Sequence, residues 1–105
     1  MKRYVKGNGY SIDSRVKSLG EIKFPTNTKW LVYSGPFINR IENLETFKKL
    51  DYLRLNGGGI SKIENLEELW GLKFLDLSSN NISEIEGLEN LKNLEVLRFG
   101  NSYRS

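Results

Sequence analysis

The chain has 105 residues, with 16 Lys and Arg against 13 Asp and Glu, no histidine, no cysteine and a net charge of +3. That length suits one domain with a continuous core rather than two independent ones. Without imidazoles or thiols the commonest general base, the thiol nucleophile and the usual soft metal ligands are missing, so no catalytic residue, metal site or cofactor is expected and the enzyme class is set aside.

The first segment, residues 1–29, carries seven Lys or Arg against Asp13 and Glu21, a balance of +5. It opens Met1-Lys2-Arg3-Tyr4-Val5-Lys6-Gly7, basic but without the apolar stretch of a signal peptide. No run of about 18 apolar residues occurs anywhere, so no membrane span is expected. Ile12, Val16, Leu19 and Ile22 have the spacing of an incomplete repeat, and the segment reads as a degenerate first repeat or a cap. Phe24-Pro25-Thr26-Asn27-Thr28 reads as a loop feeding a strand at Trp30.

From residue 30 onward apolar residues recur every 22 positions. Leu31, Leu53, Leu75 and Leu97 share one column; Tyr33, Leu55, Leu77 and Phe99 share the next. Ile38, Ile60 and Ile82 follow, then Ile41, Ile63 and Ile85, then Leu44, Leu66 and Leu88. Phe47, Leu69 and Leu91, and finally Leu50, Leu72 and Leu94, complete the period. A fixed period of this length marks a solenoid, whose units bury their apolar edges only against their neighbours. Residues 30–105 therefore hold three full units and a terminal strand.

Each alternating triplet, such as Leu75-Asp76-Leu77, predicts a short parallel strand with its leucines inward. The segments Glu42–Leu50, Glu64–Leu72 and Glu86–Leu94 have apolar residues at intervals of three and predict a short helix or 3₁₀ turn on the opposite side.

The unit Leu75-Asp76-Leu77-Ser78-Ser79-Asn80-Asn81-Ile82 resembles the leucine-rich repeat motif LxLxxNxI. Its tail, IxxIxxLxxL, is similar to the short 22-residue class found in intracellular proteins such as protein-phosphatase regulators. The resemblance covers residues 30–105. It implies an α/β right-handed solenoid with a parallel sheet on the concave side and short helices or 3₁₀ turns on the convex side. Extracellular members usually carry disulfide-bonded caps, so a cysteine-free chain is expected in the cytoplasm. The asparagine of the motif is present at Asn80 but replaced by Pro36, Gly58 and Ser102, so the turns at Pro36 and Gly58 need another source of hydrogen bonds, water among the candidates.

The outward strand positions form columns of their own. Trp30, Tyr52, Phe74 and Val96 make one; Val32, Arg54, Asp76 and Arg98 the second; Ser34, Asn56, Ser78 and Gly100 the third. Three aromatics in one outward column, flanked by arginines, have the composition of a protein-binding hot spot. Sheet stabilisation by ring stacking is the plainer reading, and the two are compatible. Asp76 reads as an exposed carboxylate in a charge row between Arg54 and Arg98. Trp30, Tyr52, Arg54, Phe74, Asp76, Val96 and Arg98 are thus the candidate partner-binding residues.

Gly57-Gly58-Gly59 could cradle an anion but lacks the lysine and hydroxyl of a phosphate loop, and more simply relaxes a turn. Trp70 shares its column with Lys48 and Lys92, and packing under a neighbouring segment is the preferred reading over a second contact patch. The expected function is a non-enzymatic protein–protein interaction module. The rivals are a nucleic-acid-binding accessory protein using the basic N-terminal segment, which is the weaker reading, and a homodimer through a C-terminal edge left open after Leu97–Phe99 unless Tyr103 covers it.

Overall fold

The computed structural model describes residues 8–100. Five parallel strands form one sheet in chain order: β1 (Gly9–Ser11), β2 (Trp30–Ser34), β3 (Tyr52–Asn56), β4 (Phe74–Ser78) and β5 (Val96–Gly100). The register follows the 22-residue columns, with Leu31 opposite Leu53, Leu53 opposite Leu75 and Leu75 opposite Leu97. Alternation along each strand sends Leu53 and Leu55, and likewise Leu75 and Leu77, into one continuous core. The architecture is a solenoid.

The sheet begins one strand earlier than the leucine pattern suggests. Tyr10 pairs with Leu31 and Gly9 with Trp30, an offset of 21 rather than 22. The missing residue comes out of the loop after the strand: three residues separate Ile12 from Val16, where four separate Tyr33 from Ile38. Tyr10 stacks on Phe24, with centroids 4.4 Å apart, and Ile12, Leu19 and Ile22 join the core. Ser18 caps the 3₁₀ turn Leu19–Glu21 by accepting from Gly20 N at 3.0 Å, and its hydroxyl donates to Glu42 at 2.8 Å.

The convex segments are runs of turns and not helices, so the helical part of the α/β expectation is corrected and its turn alternative is the form present. Leu44, Phe47 and Leu50 are linked by successive bonds, Phe47 N to Leu44 O and Leu50 N to Phe47 O, both 3.0 Å. Leu66–Leu69–Leu72 and Leu88–Leu91–Leu94 repeat the pattern. A period of three keeps every third side chain on the core, whereas an α-helix would rotate each by about 60° away from the last. Consecutive turns therefore satisfy the apolar spacing. Among the described residues the one helical element is the 3₁₀ turn Leu19–Glu21.

Each turn series starts at a left-handed residue. Asn43 and Asn65 have φ of 62°, and their side-chain amides donate to Leu19 O at 2.9 Å and Ile41 O at 2.8 Å in the unit before. Asparagine tolerates that conformation and ties adjacent units together with its amide. Gly87 holds the same place in the next unit with φ of 70°.

The turns at Pro36 and Gly58 are completed by protein groups in place of the water expected as a candidate, and Ser102 lies outside the described residues. At Pro36 the Tyr33 hydroxyl accepts from Phe37 N at 3.0 Å and Ile38 N at 3.3 Å. At Gly58 the neighbouring Asn80 reaches across, its Oδ1 accepting from Gly58 N at 3.1 Å and Ile60 N at 2.9 Å. Gly58 is needed for packing, because a Cβ there would fall 1.7 Å from Ile38 O. The triglycine thus serves the turn, with its middle amide already taken.

The apolar columns become exposed in the last described unit: Ile85 and Phe99 are each 48% exposed, whereas Ile63 and Leu77 are buried. Tyr103, and the basic residues Lys2, Arg3 and Lys6, lie outside the described residues.

Candidate functional site

The outward face of the sheet brings all seven candidate residues together. Sheet register lines up Gly9, Trp30, Tyr52, Phe74 and Val96 in one row, and Arg54, Asp76 and Arg98 in the next. Trp30, Tyr52 and Phe74 are half-buried, while Val96 is exposed.

The aromatic row is not a uniform stack. Trp30 lies against β1, where a Cβ on Gly9 would come within 1.7 Å of the indole. Tyr52 instead stacks on Phe74, with centroids 4.3 Å apart and planes within 1°. Such a pair adds about 0.5–1.5 kcal/mol beyond its buried area, so sheet stabilisation is part of its role. An apolar cleft of about 660 Å³ opens here, lined by Trp30, Val32, Asp51 and Tyr52.

The charge row departs from expectation at Asp76. It is 4% exposed, not a solvated carboxylate. Its short side chain stays close to the sheet, where Oδ1 accepts from Ser78 N at 2.9 Å and Oδ2 lies 3.3 Å from Arg54 Nε. The Arg54 N–H does not point along that line, so the pair is a charge contact without hydrogen-bond geometry. Turned with its nitrogen toward Asp76, the Asn56 amide donates to Oδ1 at 3.3 Å and to the Asp76 carbonyl at 3.2 Å. Asp76 is therefore the polar anchor of this face, and Asp76→Ala should cost about 1–3 kcal/mol, because it takes the counter-charge from the Arg54 guanidinium and the acceptor from the Ser78 amide. Urea unfolding measures this, and a loss below about 0.5 kcal/mol would return Asp76 to the class of exposed charges.

The two arginines differ. Arg54 sits about equally over Tyr52 and Phe74, at 5.9 and 6.0 Å, and is partnered by Asp76. Arg98 is exposed, 5.5 Å over the Phe74 ring, with no carboxylate at ion-pairing distance among the described residues.

On the convex side Trp70 is 51% exposed and so is not packed beneath a neighbouring segment, correcting the preferred sequence reading. Lys48 lies 5.0 Å over its ring and pairs with Glu68 at 2.5 Å. At the first unit Arg15 bonds Asp13 through both side chain and backbone, which holds that carboxyl far below the usual range on an open surface.

The register of five strands, the turn series and the asparagine bonds between units together describe a repeat, and residues 70–104 match the family model for leucine-rich repeats in two copies. This stretch of the chain carries leucine-rich repeats. The matched stretch includes Phe74, Asp76, Val96 and Arg98, and the same columns run through the units before it. Among curated proteins none matches the chain. Leucine-rich repeats generally serve as protein–protein interaction modules and are generally not enzymes.

Two contributors to this face were missed from sequence. Gly9, the seat of Trp30, could have been found from the Gly9-Tyr10 pair lying 21 residues before Trp30-Leu31. Asp51, in the cleft wall, gave no signal, since it precedes the strand and falls in no apolar column.

Proposed function

We propose that this leucine-rich repeat protein is a non-enzymatic interaction module that holds a partner protein on the concave, outward face of its sheet. The crossovers are taken as right-handed, as parallel connections almost always are. The observation that carries the reading is the row of half-buried aromatics beside an apolar cleft, with arginines at its border. Rings already packed against glycine or each other lose little freedom on binding, which suits them as anchors. Cytoplasmic residence is supported by the cysteine-free composition.

Tyr52→Ala should weaken a captured partner by about 2 kcal/mol or more while the circular dichroism of the chain is unchanged. Trp70→Ala, on the convex side, should leave capture intact. Equal capture by the Tyr52 variant, or loss with the Trp70 variant alone, moves the interface off the sheet face. The alternative of two copies meeting at β5 draws on the half-exposed Ile85 and Phe99, and sedimentation of the purified chain tells it apart.

A further inference from the structure

The sheet face carries a charge asymmetry that specifies the chemistry of its occupant. Across the strands and the residue leading into each, Lys29, Arg54, Lys73 and Arg98 stand against Asp51, Asp76 and Glu95, a surplus of one positive charge. Of the carboxylates, Asp76 is already committed to Arg54 and to the Ser78 amide. The convex stretches have the opposite balance, with eight glutamates against five Lys or Arg over residues 39–50, 61–72 and 83–94. Several of those carboxylates are themselves tied up, Glu64 with Arg40 at 3.4 Å and Glu68 with Lys48, but the surplus is negative. From the second unit onward the sheet face therefore carries a surplus of one positive charge and the back a negative surplus.

Arg98 is the free element of that pattern. Phe74 supports its guanidinium at 5.5 Å, and no described carboxylate pairs with it. A planar guanidinium held on an aromatic face and left unpaired is suited to taking a carboxylate by two parallel hydrogen bonds. The apolar cleft beside Trp30 and Tyr52 lies two to three strands away and two residues along, roughly 12–16 Å from Arg98. That separation matches an apolar residue and an acidic one about four or five positions apart in an extended segment, or about eight to eleven apart on a helix.

Building on the sheet-face reading above, we infer that the partner offers an acidic protein segment that sets one aliphatic or aromatic side chain into the Trp30–Tyr52 cleft and a carboxylate on Arg98. A positive face backed by a negative one orients such a segment before contact, and the effect weakens as salt screens it.

The test is selection of a displayed library of random 12-residue peptides on the full chain. Recovered sequences are then made as labelled peptides and titrated by fluorescence anisotropy. Recovered peptides should be net acidic with one large apolar residue. Their affinity should fall about tenfold with Arg98→Glu, less with Arg98→Gln, and not at all with Lys92→Glu on the convex side. Neutral or basic peptides, or peptides indifferent to Arg98→Glu, overturn the inference. If such peptides are still lost with Tyr52→Ala, the sheet face binds but not through acidic chemistry. If they ignore Tyr52 as well, the sheet-face reading falls with it. Recovery of no peptide also overturns the inference.

Discussion

Asn80→Ala should cost about 3–4 kcal/mol, although it removes a single side chain from a turn. The Asn80 amide is buried and serves two units at once. Its oxygen accepts from Gly58 and Ile60 of the preceding unit, and its nitrogen donates to Leu55 O at 2.8 Å and Leu77 O at 2.9 Å. Alanine leaves two buried amides without acceptors, each worth about 1–3 kcal/mol when stranded. The Gly58 turn has no asparagine of its own, so it has no substitute. Asn80→Asp keeps the acceptor and loses the donor, and should fall between wild type and alanine. Denaturant midpoints measure the series, and a loss under about 1 kcal/mol for Asn80→Ala would show that water takes over the turn.

The second large effect is at Leu77. It is fully buried within the column that runs from Tyr33 to Phe99, and Leu77→Ala should cost about 2–5 kcal/mol through lost transfer energy and the cavity left behind. Phe99→Ala, in the same column but about half exposed, should cost less than half as much. A solenoid's stability is close to a sum of unit and neighbour terms, so the central column should be the more sensitive. Equal melting shifts for the two variants would mean that the core does not fade toward β5.

Which parts of this were legible follows from how far each interaction reaches along the chain. The strands at Leu31, Leu53, Leu75 and Leu97, their parallel order and their register were all readable, because a 22-residue repeat places equivalent residues side by side and burial enforces the alternation. The seven outward residues sit together for the same reason. β1 was hidden because its unit is one residue short and puts Gly9 where other units have a large side chain.

The sequence by itself therefore determined the repeat, the core columns and the membership of the outward rows. Only the tertiary structure decided what happens between neighbouring columns. Tyr33 and Asn80 complete turns that lack their asparagine, Asp76 is drawn out of solvent between Asn56, Ser78 and Arg54, and Arg98 has no acid partner among the described residues. Period and polarity belong to single residues and survive in a one-dimensional pattern. Hydrogen-bond reach, side-chain lean and burial of a short carboxylate depend on atoms contributed by three adjacent units, and those meet only when the units stack.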